Sequence, residues 1–336
     1  MLPEFKIVAK NGRTLELKDC DDRQWDTLLA NSQQNNIFMT SKYLYSIGMA
    51  QSRKILFEDG QPVLGSTAIT TNLDESESNT HTYSTYQSIF FPDDLADDFS
   101  RDLRRVRYLS EFVEFLDALE LPVTLSIHPS VQDIRGIIWY FHESTTNLKL
   151  DYQVRYTGII DFEKEISIDK YLPSIRKVRN QEYRKSIANQ DLHVRRSESS
   201  TEFLRLYKLT FRKQELDVSD VQIDRVHKII ENGISNGFGT LYEYVLKGEE
   251  VISSIFILNH DDTDFYQLGA NDPKFLHLHG STRLLIEAIS DSLTSSKKHF
   301  DMVGMNSPSR GEFKASFNAR PCPYFLVTLS KNHLEQ

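Results

Sequence analysis

Lys314 follows Phe313 directly and precedes Phe317 by three residues. An ammonium pinned between two aromatics at a strand end suits an oxyanion or a phosphate, because a compact charge in a shielded place interacts strongly. The same spacing also fits a surface lysine between two core phenylalanines. At its unperturbed pKa of about 10.4 a lysine is a cation and not a base at pH 7. The role expected of Lys314 is therefore charge stabilisation, with Phe313 as its partner in the site.

Three further clusters offer anion chemistry. Between Lys274 and Arg283 the residues His277, Gly280, Ser281, Thr282 and Arg283 converge where a helix is expected to begin. Unpaired N–H groups and the helix dipole favour an anion there, although a Gly-Ser helix cap reads the same way. From Arg176 to Arg196 seven Arg or Lys stand against Glu182 and Asp191, which is either a solvated face or an anion site that uses Arg176, Arg179 and Arg184. Asp133 and Arg135 follow the first half's last expected strand, where they form a capped loop or bind an acceptor. Asp93, Asp94, Asp97 and Asp98 occupy the first half's counterpart of the Lys274–Arg283 junction. Four carboxylates there would repel a phosphate.

Composition narrows the class. The 336 residues are 39% hydrophobic and 11% aromatic, with a net charge of -9. That supports packed globular cores, with two domains of about 150 residues each as the natural division. An acidic balance argues against general binding of DNA or anionic membranes. Cys20 and Cys322 are too few for a disulfide framework or a thiolate metal site, and the histidines lack metal-binding spacing. No apolar run approaches the roughly 20 residues of a membrane span, and the first residues have no signal-peptide pattern. A cytoplasmic protein with no metal and no permanently bound cofactor is expected.

The elements that must position these residues come in a repeated order. In the first half, short helices at Asp21 to Leu29 and Ser41 to Gly48 precede a hairpin from Arg53 to Thr70. Then follow a loose loop from Leu73 to Thr82, a strand from Tyr83 to Phe91, a helix from Ser100 to Leu119 and a strand from Val123 to Ile127. In the second half a basic helix from Lys170 to Asn189 and helices at Thr201 to Leu216 and Val221 to Asn232 lead into the hairpin Thr240 to Leu258. The strand Phe265 to Ala270, the helix Ser281 to Leu293 and the strand Lys298 to Val303 come next. The segment Gly304 to Gly311 reads as loop. The expected class is α+β, each half a mixed, mostly antiparallel sheet flanked by helices and entered last through a right-handed crossover. The boundaries expected are 1–150, 151–320, and a final strand with its tail at 321–336 that returns to either half.

This order matches the N-acetyltransferase (GNAT) fold, here twice. Gly311-Glu312-Phe313-Lys314-Ala315-Ser316-Phe317-Asn318-Ala319 after the Phe300-Asp301 strand resembles the C-terminal signature of the FemABX-like acyltransferases. Gly269-Ala270-Asn271-Asp272, the basic run Arg176 to Ser186 and the stretch Trp25 to Leu44 are similar too, so the resemblance touches nearly the whole chain. It implies tandem GNAT domains and transfer of an acyl or aminoacyl group to an amine. Family members draw on aminoacyl-tRNA for peptidoglycan cross-bridges, or on small acyl donors in surface-polysaccharide pathways. It further implies that the second half holds the donor pyrophosphate at His277 to Arg283 while the first half faces the acceptor. Two departures stand out: no long helical arm of heptads lies between Thr201 and Gly233, and Asn318 stands where the family often has Gly. The first departure favours acyl-CoA as co-substrate, an amine of a nucleotide- or lipid-linked sugar as acceptor, and tRNA as the alternative. A non-catalytic binding protein on the same fold is the remaining reading.

Overall fold

The computed structural model describes residues 5–49, 53–68, 83–92, 99–162, 167–212 and 217–331. The chain divides into two compact units, residues 1–155 with 323–336, and residues 156–322. The expected loop at Leu73–Thr82 and the carboxylates at 93, 94, 97 and 98 lie outside the described residues.

The first unit opens with a hairpin that the charged N-terminal sequence did not reveal, β1 (Phe5–Val8) and β2 (Thr14–Asp19). Helix α1 (Asp22–Ala30) is capped by the Asp21 carboxylate, which accepts from the Gln24 N–H, and α2 (Ser41–Ser46) by the Thr40 hydroxyl. Strands β3 (Lys54–Glu58) and β4 (Gln61–Ser66) form the expected hairpin, and β5 (Ile89–Phe90) continues an antiparallel order β1-β2-β3-β4-β5. The third strand is much shorter than the expected Tyr83 to Phe91. Ser84, Gln87 and Ser88 are buried, and bonds such as Thr67 N–H to the Ser88 carbonyl and Tyr86 N–H to the Ser126 hydroxyl replace a ladder.

Helix α3 (Phe99–Ala118) leads to β6 (Val123–Ile127) and to α4 (Arg135–Glu143), a helix that the sequence pattern does not predict. The core joins Leu109, Phe112 and Phe115 of α3 to Leu125 and Ile127 of β6. Strand β7 (Leu148–Asp161) spans the expected boundary at 150 and passes from the first unit into the second.

In the second unit the expected helix Lys170–Asn189 is broken. Helix α5 (Ile168–Tyr171) runs into a 3-10 turn at Leu172–Ser174, Ile175 is extended, and α6 (Lys177–Ala188) starts afresh. Pro173 lacks the N–H that a continuous helix would need. The basic run therefore does not form one face, because β8 (Leu192–Ser197) carries Arg195 and Arg196. Helices α7 (Thr201–Arg212) and α8 (Asp220–Ser235) follow. Helix α8 runs past the expected end at Asn232: Gly233 is a close-packing position, where a Cβ would lie 2.5 Å from the Phe256 ring, and the left-handed residue is Gly237 at φ +68°. Strands β9 (Gly239–Leu246), β10 (Glu250–His260) and β11 (Thr263–Asn271) are antiparallel neighbours. Helix α9 (Gly280–Thr294) crosses over to β12 (His299–Asp301), which pairs parallel with β11 and antiparallel with the end of β7.

Gly304–Gly311 is not all loop. Pro308, at the first helical position where a missing N–H costs nothing, opens α10 (Pro308–Ala315), and Lys314 lies on that helix rather than on a strand return. Strand β13 (Arg320–Lys331) ends the described chain, and its Phe325–Leu329 portion pairs with β6 inside the first unit. Hairpin, third strand, crossover helix and fourth strand recur in the same order in both units. The strand beyond β6 in the first unit is β13, and beyond β12 in the second it is the end of β7.

A Cβ on Gly136 would lie 1.9 Å from the Val106 carbonyl oxygen. Gly136→Ala should therefore force α4 away from α3 and destabilise the protein by about 1–3 kcal/mol in urea unfolding. An unchanged midpoint would contradict that packing.

Candidate active site

Strands β11 and β12 pair only where Thr263, Asp264 and Phe265 face His299, Phe300 and Asp301. Beyond that they part, and Lys314 reaches into the fork. Asp301, 2% exposed, anchors its far side. Its Oδ1 accepts from the Val303 N–H at 2.6 Å and from the Thr157 hydroxyl. Val303 then adopts φ +55°, a left-handed conformation that a β-branched residue takes only under constraint. The turn presents two carbonyls to Lys314, whose Nζ donates to Gly304 O at 3.0 Å and reaches Val303 O at 3.4 Å. On the β11 side Nζ stands 5.4 Å from the Tyr266 ring centroid.

Burial pulls the Lys314 ammonium down to about 8; Asp301 opposes the change and Arg310 adds to it. This corrects the expectation of an ordinary lysine, because near neutral pH both charge states are within reach. Phe313 points elsewhere. Half-buried, it packs 5.1 Å from Phe317 and carries the Arg179 guanidinium 5.1 Å above its ring.

Arg179 links that ring to the start of α9. Its Nη1 donates to the Thr282 hydroxyl at 3.1 Å and meets Glu182 at 2.5 Å. Thr282 in turn donates to Glu182 Oε2 at 2.6 Å, and His279 Nδ1 lies 3.7 Å from Glu182 Oε1. The anion at this helix N-terminus is thus the chain's own carboxylate, stabilised by Arg179 and the helix dipole. Gly280 is required by packing, since a Cβ would lie 2.5 Å from that of Ser253. The Ser281 hydroxyl donates to Asn271, which also holds Ser253. Arg283 pairs with Glu287 at 2.9 Å and lies over Tyr183. His277 is exposed on a 3-10 turn.

The remaining candidates scatter. Arg176 pairs with Glu312 at 2.8 Å beside α10, and Arg184 is exposed on α6. In the first unit Asp133 and Arg135 bond to each other at 2.6 to 2.9 Å, and Asp133 also accepts the Arg135 N–H. The mutual hydrogen bonds hold Asp133 below the usual carboxylate range. The structure therefore joins Phe313, Arg179 and Thr282 in one contact chain and sets Lys314 in the fork nearby on α10, while Arg184 is exposed on α6 and Asp133 and Arg135 belong to the first unit.

Sequence reasoning missed Asp301, Glu182 and Tyr266. Asp301 was visible only as part of the Phe300-Asp301 motif, and Glu182 only as an offset to the basic run. Nothing marked Tyr266, whose neighbourhood with Lys314 depends on where β11 and β12 part.

No family model matches the chain, and no curated protein sequence matches it. Among solved structures FemX is similar over 92% of this chain and 96% of its own, with a TM-score of 0.66 and 11% identity. A tandem GNAT protein from the clavulanic acid biosynthesis pathway is similar over 96% and 100%, TM-score 0.51 and 10% identity. L-PGS from Bacillus licheniformis is similar over 95% and 94%, TM-score 0.50 and 12% identity. At such identities the likeness is one of fold, and the fold is the FemX-like, tandem GNAT arrangement that the sequence resemblance implied. Among the described residues no helix is long and apolar enough to cross a membrane.

A lysine that titrates near 8 when folded and near 10.4 when unfolded binds fewer protons in the native state between those values. Native stability should then rise with pH across that window, while below it the deficit is constant. Urea unfolding of the wild type, referenced to Lys314→Met at each pH, should gain roughly 3 kcal/mol between pH 7 and 10.5, at about 1.4 kcal/mol per pH unit. A flat difference would mean that Lys314 is solvated.

Proposed function

We propose that the protein is an N-acyltransferase that moves an acyl or aminoacyl group from an activated ester or thioester to an amine of an anionic precursor. A nucleotide- or lipid-linked sugar of cell-surface polysaccharide synthesis is the acceptor class that the resemblance favours. The observation that carries the reading is the forked sheet with Lys314 at its base, whose ammonium is held by two carbonyls and, among the described residues, has a third hydrogen with no acceptor. The amine nitrogen attacks the donor carbonyl carbon, and the C–O π electrons move onto oxygen. Lys314 donates to that oxyanion. The C–S or C–O bond to the leaving group then breaks, the leaving group takes a proton, and the nitrogen releases one to water. Named neighbours of the same fold, FemX and a tandem GNAT protein, support the class.

Acyl-CoA is one donor for this chemistry, with its pyrophosphate at His277 to Arg283. A second reading of the donor, an aminoacyl-tRNA ester that serves peptidoglycan-type precursors, is favoured by Glu182. A carboxylate bonded to the Thr282 hydroxyl at the start of α9 repels a pyrophosphate brought to that helix start. On this reading calorimetry with coenzyme A should give no binding to the wild type, and aminoacyl-tRNA should support turnover. Tight CoA binding with acetyl-CoA turnover would return the donor to CoA and leave the transfer chemistry intact.

Loss of one oxyanion donor costs about a hundred- to a thousandfold in turnover. Lys314→Met should show that loss without a lower melting temperature at pH 7. Wild-type kcat should decline as pH rises through about 8, where the ammonium deprotonates. Lys314→Arg should recover part of the activity and lack that decline, since a guanidinium stays charged. Near-wild-type turnover in Lys314→Met would end the proposal.

A further inference from the structure

The other face of α10 walls a cavity of about 540 Å³ within the second unit. Met305, Pro308, Ala315 and Pro321 give it an apolar lining, and Arg176 and Glu312 stand on it as an ion pair. Its walls are fixed by backbone bonds. The Met305 N–H donates to the Tyr156 carbonyl at 2.8 Å, Asn306 brackets the same residue through both its amide groups, and the Arg176 N–H donates to Ser316 O at 2.9 Å. Gly311 lets the helix come close, for a Cβ there would lie 2.5 Å from the Met305 carbonyl oxygen. The cavity is therefore an open, shallow groove whose walls are held in place by these bonds and whose volume suits a small ligand.

We infer that this cavity binds an α-amino-acid unit, with its ammonium on Glu312 and its apolar side chain on Met305, Pro308 and Ala315. The inference rests on the acyl-transfer reading only for which reactant carries that unit. Opposite charges on an apolar floor match the distribution of an amino acid. The resident pair does not bar entry, because both side chains are more than half exposed and such pairs contribute about 0–1 kcal/mol. Segment 303–307 joins the cavity to Lys314, since Val303 and Gly304 hold the ammonium while Met305 to Ser307 line the cavity. The amino acid has two sources, which Arg176 distinguishes. A free or C-terminal amino acid brings a carboxylate for Arg176, and an aminoacyl ester does not.

Calorimetry and chemical-shift mapping with L-leucine, L-leucinamide and N-acetyl-L-leucine read all three possibilities. Leucinamide should bind, N-acetyl-leucine should not, and Glu312→Gln should weaken leucinamide by about two- to fivefold, the size of an exposed ion pair. Arg176→Gln should weaken leucine alone if the carboxylate is recognised, and neither probe if the unit arrives as an ester. Ala315→Phe fills the cavity and should abolish binding, and a melting temperature checks that it folds. The inference is overturned if no probe binds, if N-acetyl-leucine binds as well as leucinamide, or if folded Ala315→Phe binds unchanged. The probes should bind Lys314→Met as they bind the wild type. Failure of the binding series therefore leaves the Lys314 turnover result standing, and the reverse holds too.

Discussion

The hydrogen bond from the Val303 N–H to the buried Asp301 carboxylate is the constraint on which the site depends. It turns the chain out of β12 into a conformation that a valine does not choose, and holding it there costs on the order of 1–3 kcal/mol. The return is positional. Two carbonyls end up facing a lysine on a helix that begins only at Pro308. Without that turn Lys314 would have no fixed partner, and a four-carbon stem ending in solvent has no preferred direction.

Charge compensation organises the neighbouring helix start in the same local manner. Arg179, Glu182, Thr282 and His279 satisfy one another, and Arg179 also lies on the Phe313 ring. Phe313 thus communicates with α9 through a cation–π contact, while Lys314, its immediate neighbour in sequence, serves the fork. Adjacent residues on a helix point about 100° apart, so one short motif supplies two separate pieces of the site.

The tandem fold was legible because hydrophobic periodicity, turn residues and element order are local and were repeated. Lys314 was legible through its aromatic flanks. Helix α10 was not, because Asn306, Ser307, Pro308 and Gly311 have the composition of a loop, and only the close approach to the Met305 carbonyl makes Gly311 useful inside a helix. The break at Pro173 was missed for the converse reason, since proline in a first turn is tolerated and the sequence does not say where the turn begins. The depressed lysine and the occupied α9 terminus were beyond reach, because each depends on residues far apart in the chain: the burial of Lys314 beside the Tyr266 ring, and Glu182 with Thr282. The mutual pairing of Asp133 and Arg135 was local, and the i to i+2 spacing already allowed it.

In the first unit Phe325–Leu329 pairs with β6, some two hundred residues earlier in the chain. A ribosome that has finished residues 1–155 has therefore not yet made everything that domain contains. Its fourth strand must wait with an unpaired edge while the entire second unit is synthesised, and an edge of that kind is a template for the wrong neighbour. Closing so distant a contact is also slow. The order of assembly is thus fixed by topology: the second unit, contiguous from 156 to 322, has all its strands before the first does, and the half synthesised first is the half completed last.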